Sequence, residues 1–237
     1  MTTIKDSVAL VTGGSRGIGK ELVEQLYARG ARKVYATARD AAAVTHPDAI
    51  GLPFEASDPR AAAALAQLAP DVTILINNAG TSSRADYLTS TEDEARRDFE
   101  TNFFGPLWVT RALVPVIEAN GGGHILNVHS ALSWFAEGKT YSASKAAFWS
   151  QTNSLRVTLQ PRGITVTGLH VGYVDTDLTT SIDADKVQPG LVAAKALDGI
   201  EAGAFEVLVD GTSEWAKAAL SGPIEQMYPQ LAQQGTK

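Results

Sequence analysis

Apolar residues in this chain come in short consecutive runs, separated by longer stretches with helical spacing. The runs fall at Val8–Thr12, Lys33–Thr37, Ile50–Phe54, Val72–Asn77, His124–His129, Thr165–His170 and Phe205–Val209. Several are β-branched and apolar at successive rather than alternate positions, the pattern of strands covered on both faces in a parallel sheet. Between the first two, Ile18, Leu22, Val23 and Leu26 share one face of a helix predicted over Ile18–Arg29. Asp58 followed by Pro59 predicts an N-cap and a proline at the first helical position, opening an alanine-rich helix to about Leu68. Thr91–Glu94 has the form of a capping box and opens a long segment towards Asn120. Pro106 and Pro115 interrupt that segment, which predicts a kinked helix or two pieces, and Gly121–Gly123 stops it.

This alternation of strand and helix predicts an α/β fold. The expected form is one domain over residues 1–237, a doubly wound Rossmann-type parallel sheet of about seven strands with helices on both faces. Ligands of such a sheet bind at the carboxyl ends of the strands. The chain has 237 residues, 44% hydrophobic and 19% charged, enough for a sizeable core and unlike a disordered composition. A net charge of −6 argues against nucleic-acid binding, which wants a basic face. The count of cysteines is zero, which removes disulfides and thiolate metal sites and suits a reducing cytoplasm. His46, His124, His129 and His170 lack metal-ligand spacing and read as structural residues, so no metal is expected. The N-terminal apolar run is too short for a signal peptide or membrane span, and the expectation is a soluble cytoplasmic protein.

Thr12–Gly19, TGGSRGIG, directly follows the first strand and opens the first helix. Glycines at 13, 17 and 19 remove Cβ atoms where backbone must approach a pyrophosphate, whose charge the helix N-terminus then meets. Alone the glycine pattern is weak; its strand–turn–helix setting strengthens it. At the end of the second strand an acidic residue would accept hydrogen bonds from a ribose 2′-hydroxyl. Here stand Ala38 and Arg39, with Arg16 inside the glycine loop, and two converging guanidinium groups suit a phosphate monoester. Solvated surface charge is the competing reading of both arginines. Asp40, before Ala41–Ala43, reads as a helix cap rather than a ribose ligand. The expected cofactor is NADP(H).

These residues, with NNAG at Asn77–Gly80 and YSASK at Tyr141–Lys145, resemble the short-chain dehydrogenase/reductase family from Val8 to about Leu178. The resemblance implies an NADPH-dependent carbonyl reductase, reversible as an alcohol dehydrogenase. It gives Asn102 a water leading to the catalytic lysine, Ser130 and Tyr141 the catalytic hydroxyls, and Lys145 the partner of the tyrosine. Ser15, Ile18 and the three glycines of the loop fall to the cofactor, as do Asn78, Ala79 and Gly80 beside ribose and nicotinamide. Glu55 and Ala56 stand where the family usually has aspartate and valine near the adenine. In VGYVDT, Val174 and Thr176 fall near the carboxamide, with valine where the family has proline. The helices near 91–120 and 141–160 are implied to pair across a subunit boundary, giving a homodimer or homotetramer.

The chemistry explains why these residue types belong together. Hydride transfer to a ketone carbon leaves an alkoxide, which needs a proton. A phenol has an ordinary pKa of about 10, and lowering it by about three units takes about 4 kcal/mol of differential stabilisation. An ammonium one helical turn away, as Lys145 is from Tyr141, favours phenolate, most strongly in a partly desolvated site. Trp134, Phe135, Tyr173 and Leu178 are expected to form an apolar, partly aromatic wall for a ketone or alcohol without strong charge. Packing anchors are the other reading of the two aromatics Trp134 and Phe135. Ser82, Ser83 and Arg84 are further candidates for substrate contact, and the polar stretch Thr179–Gly190 suits either a lid or an open pocket. Two other functions remain open at this point: a nicotinamide redox sensor without turnover, and a lyase or epimerase on the same scaffold.

Overall fold

The computed structural model describes residues 2–83 and 85–234. Seven strands, β1 (Val8–Val11), β2 (Lys33–Ala38), β3 (Ile50–Pro53), β4 (Ile74–Asn77), β5 (Gly123–Val128), β6 (Ile164–His170) and β7 (Glu206–Leu208), form one parallel sheet. Their order is β3-β2-β1-β4-β5-β6-β7. Every apolar run expected to be a strand contains one; β1, β4, β5 and β6 are buried almost throughout, whereas the edge strands β3 and β7 are only partly covered.

The two faces of the sheet are separated by single-residue alternation. On β1, Ala9 and Val11 enter one core with Leu22, Leu26, Val192 and Leu197, while Val8 and Leu10 enter the other with Leu65, Val109, Leu113 and Ile117. The first core lies under α1 (Gly17–Ala28) and α6 (Pro189–Ala202); the second lies under α2 (Pro59–Leu68), α4 (Gly105–Ala119) and α5 (Thr140–Leu159). Between α2 and α4, α3 (Glu92–Phe99) starts at the Thr91 capping box, in which Glu94 accepts from the Thr91 amide at 2.9 Å. After β7 come α7 (Gly211–Ala219) and the short α8 (Ile224–Met227). No helix among the described residues is long and apolar enough to cross a membrane.

The long segment from Thr91 to Asn120 does break, but not at a proline ring. A five-residue π turn, Glu100–Phe104, separates α3 from α4. Pro106 sits in the first turn of α4, where its missing N–H costs no helical bond, and Pro115 lies inside α4. Asn102 occupies the middle of the π turn and is fully buried. Such turns open the regular ladder and re-aim side chains.

Candidate active site

A cleft of about 1190 Å³ runs along the carboxyl ends of the strands. The sheet order reverses between β1 and β4, where open parallel sheets take their ligands.

At one end the cleft is floored by Gly13, Ser15, Arg16, Gly17 and Ile18. Gly13 (φ 68°) and Gly17 (φ 51°) have left-handed backbone. Arg16, at the N-cap of α1, makes no side-chain cap bond, so the first amides of the helix face the cleft without a competing side chain. Gly19 does not line the cleft. A Cβ there would lie 2.0 Å from the Gly13 oxygen and 2.7 Å from Asn78 Nδ2, so its bareness lets α1 press against the loop. These features fit a pyrophosphate group: a bare backbone cradle at a helix N-terminus.

Ala38, Arg39, Glu55 and Ala56 line the neighbouring end. Asp40 accepts from the Ala42 amide at 3.0 Å, capping the turn Ala41–Ala43 as expected. Arg39 is exposed. Arg16 and Arg39 line the same cleft, and Arg16 pairs with Asp177 at 2.8 Å, from the loop beyond β6. The pair is 70% and 74% exposed, so it holds the arginine only weakly.

The turn after β4 is tied to the end of β1 through Thr12. Its Oγ1 accepts from the amides of Asn78 and Ala79, both at 3.0 Å, and Asn78 Nδ2 donates to the Thr12 oxygen at 2.9 Å. Ala79 and Gly80 thereby reach the cleft. The hydroxyl of Thr12 is a structural hub that sequence reasoning passed over as part of the glycine motif.

Ser130, Tyr141 and Lys145 share the wall beyond. Ser130 follows β5 and is 6% exposed, Lys145 is 5% exposed, and the Tyr141 ring is half-buried. Lys145 Nζ stands 5.9 Å from the Tyr141 ring centre and donates to the Val128 oxygen at 3.0 Å. Burial pushes the Tyr141 phenol up to about 12 against the pull of its hydrogen bond with Ser130, and the charges of Asp98 and Tyr173 add to the rise. Burial pushes Lys145 down to about 8. In the protein alone, desolvation decides the direction of the phenol's shift, upwards. Asn102 stands behind this wall rather than in it. It donates through Nδ2 to the Thr81 oxygen at 2.8 Å and to Ser144 Oγ at 3.0 Å, and accepts from the Thr81 amide at 2.9 Å.

The substrate side corrects one expectation. Tyr173 and Leu178 line the cleft, with Val174, Thr176, Leu132 and Ile182. Trp134 and Phe135 do not. Trp134 is buried, stacked on His170 at 3.9 Å with Lys217 5.1 Å from its ring centre, and Phe135 packs edge-on against Trp215 at 5.6 Å. A cationic and an imidazole partner, far away in sequence, draw the indole inwards, where a loop position alone suggested the pocket. Ser82 lines the cleft, Ser83 turns to Asp98, and Arg84 lies outside the described residues. Val187 donates to the Tyr173 oxygen at 2.8 Å and accepts from the Asp175 amide at 2.9 Å, so the loop after β6 is pinned at its far end. Among the described residues no group of three or more His, Asp or Glu side chains is placed to hold a metal ion.

The model of the short chain dehydrogenase family matches residues 7–187. Dehydrogenase/reductase SDR family member 7B of Bos taurus is 30% identical over 223 residues, covering 83% of this chain and 67% of its own. The 3-oxoacyl-(acyl-carrier-protein) reductase FabG of Escherichia coli is 30% identical over 198 residues, covering 78% and 80%. A short chain dehydrogenase from Burkholderia cenocepacia, solved in complex with NADP, is 33% identical with a TM-score of 0.90 over 97% of this chain and 98% of its own. A 3-ketoacyl-(acyl-carrier-protein) reductase from Brucella melitensis, solved with NADH, is 26% identical with a TM-score of 0.81 over 89% of this chain and 100% of its own. With the glycine loop, the Asn77–Gly80 turn and the Tyr141–Lys145 helix meeting at one cleft, this chain belongs to the short-chain dehydrogenase/reductase family.

Proposed function

We propose that the protein transfers a hydride reversibly between NADP(H) and a ketone or secondary alcohol, with Tyr141 as general acid and base. The observation that carries this reading is the meeting of Ser130, Tyr141 and Lys145 on one wall of the cleft that begins at the glycine loop. When bound, the nicotinamide would carry the hydride and, once oxidised, add positive charge near the phenol. Everything else falls to the chain. Burial keeps Tyr141 protonated near neutrality, the form that can give its proton to a developing alkoxide. Ser130, on the same wall of the cleft and lowering the phenol's pKa as a hydrogen-bond partner, would donate to the same oxygen. Lys145, pushed down to about 8, still holds most of its charge at pH 7 and opposes the cost of leaving a phenolate. In the oxidative direction Tyr141 takes the alcohol proton.

Arg39 supports NADP over NAD: a cation just past the end of β2, followed by an Asp40 carboxylate engaged by the Ala42 amide, suits a 2′-phosphate. Leu132, Tyr173, Leu178 and Ile182 favour an apolar carbonyl compound. A homodimer or homotetramer in the cytoplasm is the assembly and place proposed with this activity.

The test follows NADPH absorbance with a panel of ketones. Turnover that falls by about a hundredfold or more in Tyr141→Phe supports the assignment; an unchanged rate removes Tyr141 as proton carrier. Binding of NADPH with no turnover of any ketone would support a redox sensor instead.

A further inference from the structure

The segment that precedes the π turn holds a carboxylate the proposed reaction does not use. Asp98, on α3, is 0% exposed. Its Oδ1 accepts from the Ser83 amide at 2.8 Å, and its Oδ2 accepts from Ser83 Oγ at 2.8 Å and Thr140 Oγ1 at 2.7 Å. Burying a carboxylate is costly unless several donors meet it, and here three do. The carboxylate sits on the last residue but one of α3, Glu92–Phe99, where the surrounding acidic and basic residues are mostly exposed.

The partners of Asp98 run in register with those of Asn102. Asp98 joins Ser83 to Thr140; four residues on, Asn102 joins Thr81 to Ser144. The spacings are four on the α3–π segment, two on the extended loop and four on α5. Two parallel rungs therefore clamp the loop after the Asn77–Gly80 turn to the first turns of α5. The residues that follow the two rung positions on α5 are Tyr141 and Lys145.

We propose that Asp98 is a positioning residue of the active site: its buried carboxylate fixes the first turn of α5 against the loop beyond the Asn77–Gly80 turn, and so sets where the Tyr141 phenol stands and what charge it feels. The proposal rests on Tyr141 being the proton carrier. Without the Asp98 rung, the start of α5 would keep the Thr140 hydroxyl and amide bonds to the Ala85 oxygen, at 3.3 and 3.5 Å, and the Ser142 bonds to the Gly138 amide and the Phe135 oxygen, but would lose its tie to α3. The groups that act on the phenol are Lys145 from α5, whose Nζ is 5.9 Å from its ring centre, Ser130 from the end of β5 and the charges of Asp98 from α3 and Tyr173 from the loop after β6. A carboxylate at Asp98 opposes phenolate at Tyr141.

Two variants separate placement from charge. Asp98→Asn keeps an oxygen for Thr140 or Ser83 and removes the charge; Asp98→Leu removes both. The readouts are kcat and KM for ketone reduction by NADPH, the pH dependence of kcat/KM, and the unfolding midpoint. A fourth readout is independent of turnover: the tyrosinate absorbance difference between protein with Tyr141 and Tyr141→Phe, titrated with NADP⁺ present in each background. Asp98→Asn is expected to move the Tyr141 absorbance midpoint and the alkaline limb of kcat/KM downwards by about half a pH unit or more. Asp98→Leu is expected to lower kcat about tenfold or more with KM for NADPH changed less than about twofold. If Asp98→Asn leaves the absorbance midpoint where it was, the proposal is overturned. It is overturned equally if Asp98→Leu lowers the unfolding midpoint while kcat per folded molecule holds. Should the unaltered protein reduce no ketone, the proposed reaction fails by itself, and the absorbance titration still judges Asp98.

Discussion

Lys145 is anchored to the sheet: its ammonium donates to the backbone oxygen of Val128 at 3.0 Å, at the last residue of β5. That bond spends one of its three protons and leaves two for a ribose or for the region of Gly80, whose Cβ would stand 3.7 Å from Nζ. Burial pushes the group down to about 8, so the protein stabilises the cation poorly on its own. Lys145→Met keeps the length of the side chain and removes the buried charge. The expected outcome is a fall in kcat of about a hundredfold or more with an unfolding midpoint equal to or above that of the unaltered chain. A variant that unfolds early while its remaining activity is undiminished would show the lysine to be a structural strut.

Gly19 separates a packing role from a binding role. A Cβ at this position would overlap the Gly13 oxygen at 2.0 Å, and neither the loop nor α1 can withdraw without opening the cradle. Gly19→Ala is expected to cost about 2 kcal/mol or more in stability and to weaken NADPH by tenfold or more, about 1.4 kcal/mol, because the same shift displaces Gly13 and Asn78. Denaturant unfolding and a fluorescence titration of NADPH measure the two effects. Weakened binding without loss of stability would mean that the cofactor itself, not α1, needs the space.

How much of this was legible in the sequence depended on whether the signal was local. Strand runs such as Val72–Asn77 and caps such as Asp58 and Thr91 carry their reasons within four to six residues; the structure has both caps where the chain predicts them and the strand over Ile74–Asn77. The glycine loop and the Tyr141–Lys145 spacing are local too. Trp134 is different: whether an indole faces a pocket or the interior is decided by His170 and Lys217, which no local pattern connects to it. Asp98 sits in a run of charges, EDEARRD, that reads as a solvated helix face. Its one sequence signal is that it stands four residues before Asn102 and shares its side of the segment. The break at Glu100–Phe104 was expected from the prolines, yet a π turn placed it upstream, where it serves Asn102.

The arginines give a test of cofactor choice that the two competing readings answer differently. Arg39 lines the cleft and is exposed, while Arg16 is engaged by Asp177. A 2′-phosphate must displace the carboxylate to recruit Arg16 but meets Arg39 directly. Arg39→Ala is therefore expected to weaken NADPH by about tenfold or more and NADH by less than about threefold, with Arg16→Ala showing the smaller discrimination. Equal losses for both nucleotides in Arg39→Ala would return the arginine to the status of solvated surface charge.

Acid stability should report on the buried imidazoles. His124 is 0% exposed, bridges β5 to β6 through Nε2 and Thr167 Oγ1 at 2.8 Å, and is pushed down to about 4 by burial. The unfolded chain binds a proton at this residue below its ordinary value of 6.5, whereas the folded chain does so only near 4. Between these values the unfolded state holds more protons, so stability falls as pH falls through that window and levels off below it. Integrated over the window, His124 alone accounts for a loss of about 3 kcal/mol. His124→Gln retains an amide nitrogen where Nε2 bonds Thr167 and does not titrate. Unfolding in urea at pH 7 and pH 4.5 should show a smaller loss for the variant than for the unaltered chain, by about 2 kcal/mol. His170, pushed down to about 3 and still present, keeps the variant's own acid loss above zero. An identical pH dependence in both proteins would mean that the strand pair opens to water before the imidazole is charged.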